Sequence, residues 1–134
     1  MKYYSIKYFN GKEFFESNLF FSNVNQQVEL TFKSEDFNIR TYEYYPFLAL
    51  VKLRRELELF EIKLMCNGAR LDVYPSSGMM IGINAYKLVL GKPVTKENIC
   101  KIFDPVDDVS IVATVDEQHA YYIKWLESLK GKLE

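Results

Sequence analysis

The first third of the chain repeats apolar residues with a period of two. Tyr3 to Phe9 is β-prone, Asn10-Gly11 offers the positive φ values of a two-residue turn, and Lys12 to Glu16 returns, which predicts a hairpin. Val28, Leu30 and Phe32 alternate with polar residues and predict a strand buried on one face; Phe37 to Tyr44 predicts another. At Pro46 the period changes. Proline suits the first turn of a helix, where a missing N–H costs nothing, and Leu50, Leu53, Leu57 and Phe60 then mark one helical face. Lys52, Arg55 and Glu56 cover the other, and the Arg54-Arg55 pair reads as exposed charge on a surface helix.

Alternation returns at Ile62, Leu64 and Cys66, Asn67-Gly68 reads as a turn, and Ala69, Leu71 and Val73 alternate again before Pro75-Ser76-Ser77-Gly78 breaks the run. Gly82 to Leu90 resumes it, with Tyr86, Leu88 and Leu90 on one face and Ala85, Lys87 and Val89 on the other. These runs predict a three-stranded antiparallel meander. Thr95 then caps a short helix, with Val94 and Ile99 at the hydrophobic-staple positions, ending before Asp104-Pro105. Val109 to Val115 predicts a buried strand. Thr114-Val115-Asp116-Glu117 has capping-box spacing, and Tyr122, Trp125, Leu126 and Leu129 share one face of a last helix stopped by Gly131, with Lys130 in its last turn. The expected architecture is one α+β domain over residues 1–134: a mostly antiparallel sheet with two longer helices and one short helix.

Composition adds two points to this outline. The 10 Tyr and 10 Phe favour a β-rich packed core and offer anchors for a binding face. The net charge of −1 argues against non-specific nucleic-acid binding, which needs a basic field. The charge is uneven, however. Asp104, Asp107, Asp108, Asp116 and Glu117 stand in one stretch without a Lys or Arg, as an acidic patch for a basic partner would, or as a solvated loop leading into a helix. The opening Met1-Lys2-Tyr3-Tyr4-Ser5 has no apolar signal core, and no apolar run approaches the ~20 residues that span a bilayer, so a cytoplasmic chain is expected, with Cys66 and Cys100 reduced.

Candidate chemistry gathers in the block Cys66 to Ser77. Cys66 with His119, the only histidine, and Asp72 or Asn67 would be needed for a cysteine nucleophile, but nothing in the spacing brings them together, and Cys66 shares a strand face with Ile62 and Leu64. One histidine and two distant cysteines give no zinc spacing, Asp104-Pro105-Val106-Asp107-Asp108 lacks the glycine and terminal glutamate of a calcium loop, and Gly78 to Gly82 leads into a strand rather than a phosphate-binding helix. No metal or cofactor is expected, and no enzyme. Arg40, Tyr42, Tyr44, Arg54 and Arg55 interleave basic and aromatic groups as a stacking surface would, without a recognised nucleic-acid motif. Arg70 and Asp72, two apart on a predicted strand, point outward as an ion pair or, beside Tyr74 and Ser76, as a recognition face.

A set of short stretches runs through the second half: Leu53-Arg54-Arg55-Glu56-Leu57-Glu58, Cys66-Asn67-Gly68-Ala69-Arg70, Asp72-Val73-Tyr74-Pro75-Ser76, Ala85-Tyr86, Gly91-Lys92 and Ile102-Phe103-Asp104. In these, residues 46–116 resemble a group of small bacterial proteins, some of which look like immunity proteins of polymorphic toxin systems, including contact-dependent growth inhibition. The resemblance implies a cytoplasmic domain without chemistry of its own that binds a cognate toxin domain and blocks its active site, a basic nuclease being one such toxin. It assigns no catalytic residue. The partner-binding candidates are Asp104, Asp107, Asp108, Asp116, Glu117, Arg70, Asp72 and Tyr74, in a monomer or homodimer that contacts neither nucleic acid nor membrane. The alternatives are a small enzyme or ligand-binding domain that uses the Cys66–Ser77 block, or a scaffold subunit that buries its aromatics in a homodimer.

Overall fold

A computed structural model describes residues 1–130. Its order is β1 (Lys2–Phe9), β2 (Phe14–Val24), β3 (Gln27–Lys33), β4 (Asn38–Glu43), α1 (Pro46–Glu58), β5 (Lys63–Leu64), β6 (Val73–Tyr74), β7 (Asn84–Lys87), β8 (Ile99–Lys101) and α2 (Val115–Ser128). The fold is α+β and antiparallel, as the pattern predicts, but its strands form two sheets: a large one in the order β4-β3-β2-β1-β5 and a small one in the order β6-β7-β8.

The large sheet follows directly from the period-two pattern. Ile6 and Tyr8 of β1, Leu19 of β2, and Val28, Leu30 and Phe32 of β3 face inward and are buried. α1 lays Phe47, Ala49, Leu50, Leu53 and Leu57 over them, and each fully buried side chain of this size contributes roughly 1.5–3 kcal/mol. The first turn is longer than the sequence suggests. Phe9 pairs with Phe14, and Asn10 closes the four residues between by accepting from the N–H groups of Lys12 and Glu13 at 2.9 and 2.8 Å. A second hairpin was not legible: Val24 pairs with Gln27 across Asn25-Gln26, both held at positive φ (52° and 67°) without a glycine.

Past α1 the expected meander is absent. β5 joins the edge of β1, pairing Leu64 with Tyr8, and Asn67–Ala69 forms a 3₁₀ turn instead of a hairpin turn. The segment beginning at Val73 belongs to the small sheet. Leu90 and Val89 are exposed, so the strand faces predicted for Gly82 to Leu90 hold only for Ala85 and Leu88. The short helix at Thr95 is a single 3₁₀ turn, Lys96–Asn98, which does carry the capping box; Ile99 is exposed and starts β8. Val109 to Val115 is no strand. It is a 3₁₀ turn, Val109–Ile111, and an extended stretch that touches Arg70 through one isolated bridge at Val112. Phe60 lies beyond the end of α1 and is exposed, as is Leu126 on α2. The α2 capping box is present as predicted, with Glu117 N donating to Thr114 Oγ1 at 3.1 Å and Thr114 N to Glu117 Oε1 at 2.8 Å. The stop assigned to Gly131 lies outside the described residues.

Candidate partner-binding face

Arg54 is the main correction on α1, and it positions the face opposite. It is 3% exposed rather than a surface charge. Its guanidinium donates to Gly68 O (3.2 Å), Ala113 O (2.8 Å) and Gln118 Oε1 (2.6 Å). Gln118, buried on α2, sets the two N–H donors of Nε2 among Gly68 O, Arg70 O and Val73 O at 2.8, 2.9 and 2.9 Å, sharing one of them between two carbonyls. These two side chains saturate the carbonyls of a backbone run that has no ladder of its own. Burial pulls the Arg54 pKa down, opposed by the nearby Glu58 carboxylate; arginine keeps its proton even so. Gly68 sits in the same knot. A Cβ there would collide with Leu50 Cδ2 and meet Ile102 at 3.1 Å, so the Asn67-Gly68 pair serves close packing rather than a hairpin.

The knot sets α2 against β6, and aromatic side chains fill the seam. Tyr74 stacks on Tyr122 with ring centroids 4.1 Å apart and planes 10° from parallel. Phe47 of α1 meets the other side of Tyr74 edge-on at 5.0 Å, and Trp125 lies 6.3 Å beyond Tyr122. Hydrogen bonds pin the helix side of the stack: Trp125 Nε1 donates to Lys92 O at 2.9 Å, and Tyr121 Oη to Leu88 O at 3.4 Å. Burial, with Tyr122 adding to it, raises the Tyr74 phenol and keeps it neutral. Beside the stack runs a groove of about 260 Å³, with Tyr74, Tyr86, Tyr122 and Trp125 among its walls and Ser76 and Ser77 at its rim.

The predicted acids have different local partners. Arg70 grips Asp72 with two bonds of 2.8 and 2.9 Å, and the Asp108 charge also reaches Arg70. Leu88 N donates to the Asp72 carbonyl at 2.6 Å, and the Asp72 charge reaches Tyr121 on α2. The Asp104 charge reaches Tyr4, and Asp107, next to Asp108 in the chain, lines a shallow cleft with Lys7 and Phe14. Asp116 pairs with Arg55 at 3.1 Å, and Glu117 serves the capping box. Asp108 is likewise a cap, accepting from Ser110 N at 3.0 Å and Ser110 Oγ at 2.6 Å. Hydrogen bonds to these caps hold Asp108 and Glu117 below the ordinary carboxylate range.

Cys66 is fully buried, and burial pushes its thiol up to about 11 against the pull of Arg54, so it is not a thiolate at neutral pH. His119 Nδ1 lies 3.3 Å from Tyr74 Oη, on the exposed side of the stack. No group of three or more His, Cys, Asp or Glu side chains is gathered as a metal site among the described residues. No helix among them is long and apolar enough to cross a membrane. The sequence pattern placed Tyr122 and Trp125 on one helix face but gave no sign that Tyr74 would stack on Tyr122 or that Tyr86 would line the same groove, because these segments lie far apart in the chain. No protein-family model matches the chain, and no curated protein matches it in sequence.

Proposed function

We propose that this chain is a protein-recognition module of the immunity type, a cytoplasmic protein that binds a cognate toxin domain and occludes its active site. The observation that carries the reading is the pinned aromatic groove of Tyr74, Tyr86, Tyr122 and Trp125. Aromatic side chains held rigid beside a small apolar recess are the composition and geometry of interface anchors, since they lose little rotamer freedom on binding. The Arg70–Asp72 ion pair, two residues before Tyr74, supplies charge, which affects association rate and partner choice more than affinity. The resemblance across residues 46–116 names the class of partner. The rival use of the Cys66–Ser77 block has less support, because Cys66 is buried and the carbonyls of Gly68, Arg70 and Val73 are taken by Arg54 and Gln118.

The test is co-expression with the toxin domain encoded immediately beside this chain. A stable complex and surviving cells are expected, with both lost in the Tyr122→Lys and Leu126→Glu variants while their circular dichroism stays native. If the unaltered chain yields neither complex nor survival, the reading fails.

A further inference from the structure

The aromatic groove that the partner enters also limits what that partner presents. None of the residues that wall it is charged, whereas the clefts around Asp107, Glu16 and Arg40 all carry charge. What the groove offers is rings and hydroxyls. Tyr74, Tyr86 and Tyr122 are half-buried and Trp125 is buried. The Tyr74 hydroxyl is engaged with His119, and the Trp125 N–H with Lys92 O. The hydroxyls of Ser76, Tyr86 and Tyr122 have no hydrogen-bond partner among the described residues. No unpartnered side-chain N or O is buried there, so all three reach water.

We propose that an uncharged, proline-rich segment of the partner protein docks in this groove in the polyproline II conformation. The inference rests on the groove being the partner-binding face and names what enters it. A polyproline II segment has no internal hydrogen bonds, so its carbonyls need donors, and the hydroxyls of Ser76, Tyr86 and Tyr122 supply them. Its flat pyrrolidine rings lie against aromatic walls, and its backbone, already extended, loses little freedom on docking. Other occupants use chemistry that the groove lacks. A phosphorylated or acidic motif needs Arg or Lys, and a basic one needs carboxylates. An added strand needs an open edge, but the Val73 carbonyl of β6, beside the groove, accepts from Gln118 at 2.9 Å. An amphipathic helix bonds its own carbonyls internally and leaves the three hydroxyls unused.

The test follows the fluorescence of Trp125, the only tryptophan in the chain and part of the groove wall, while the purified chain is titrated with a short peptide of repeating Pro-Pro-Leu. A saturable change is expected. The same peptide with alanine for every proline should bind about tenfold or more weakly, since it has to be ordered as it docks. Tyr86→Phe and Tyr122→Phe keep the rings and remove the hydroxyls. Each should weaken the proline peptide by about three- to tenfold, with thermal unfolding unchanged. No response at about 1 mM peptide overturns the proposal. Equal binding of the alanine peptide also overturns it, by making the groove a general apolar contact. Tighter binding of a trimethyl-lysine peptide overturns it in favour of a cation held against the rings. A toxin complex that is lost in Tyr122→Lys, with no response to the proline peptide, removes this inference and leaves the toxin-binding reading standing. A response to the proline peptide without a toxin complex does the reverse.

Discussion

The two halves of this protein are held together by different means. Residues 1–58 form four long strands and a helix, in which the backbone satisfies itself through regular ladders and the side chains need only be apolar or polar in the right order. Between α1 and α2 the strands are two to four residues long, broken by 3₁₀ turns. There the backbone is satisfied in part by side chains: Arg54 from α1, Gln118 from α2, and Asn67 of the 3₁₀ turn between them, whose Nδ2 donates to Lys101 O at 3.1 Å. Ladder bonds are many and interchangeable. In the second half a few polar groups carry the same task, so it should fail through single residues where the first half degrades gradually.

That contrast is open to direct attack. The largest effect is expected from Gln118→Leu and Arg54→Met, which strand buried carbonyls and, for Gln118→Leu, weaken the shell around a buried guanidinium. Each should cost about 3–5 kcal/mol in urea unfolding, with hydrogen exchange accelerated in residues 66–73 and 109–114 before the β1–β4 ladder is affected. If protection falls evenly across both halves, the contrast is wrong. Gly68→Ala should cost about 1–3 kcal/mol, because the added methyl has to displace Leu50 and press on Ile102. The corresponding change in the ladder half should act the other way. Gln26→Gly should stabilise by about 0.5–1 kcal/mol in thermal unfolding, since it relieves a left-handed residue without touching any contact.

The smallest effect is a pH dependence confined to the caps. Glu117 and Asp108 are held below their ordinary carboxylate range in the folded chain. A depressed folded pKa contributes stability that is present above the unfolded value and is lost as pH falls through the folded one. The melting temperature should therefore decline below about pH 5. Glu117→Gln should flatten part of that slope and leave neutral-pH activity toward any partner intact.

What could be read from the sequence followed the same division. Val28, Leu30 and Phe32 gave β3, Pro46 with Leu50, Leu53 and Leu57 gave α1, and Thr114 with Glu117 gave the start of α2, because each is a local pattern with a local cause. Ile62 to Cys66 and Ala69 to Val73 alternate just as convincingly, yet only Leu64 and Val73 lie in strands, and those strands belong to different sheets. Alternation requires one buried face, and here the partner that buries it is a helix and a polar knot rather than a neighbouring strand. The same holds for the candidate site. Arg70 with Asp72 was legible as a pair two residues apart, whereas the partner of Asp116, Arg55 on α1, lies 61 positions away in the chain.

The sequence by itself determined the α+β class, strands β1, β3 and β4, both long helices and the N-terminal capping box of α2, since these rest on periodicity and capping within a few residues. Only the tertiary structure decided that Arg54 is buried, that Gly68 is a packing position, and that Tyr74 meets Tyr122. Each depends on which distant carbonyl, methyl group or ring arrives at that point, and a polar or aromatic side chain has the same composition whether it faces water or a buried partner.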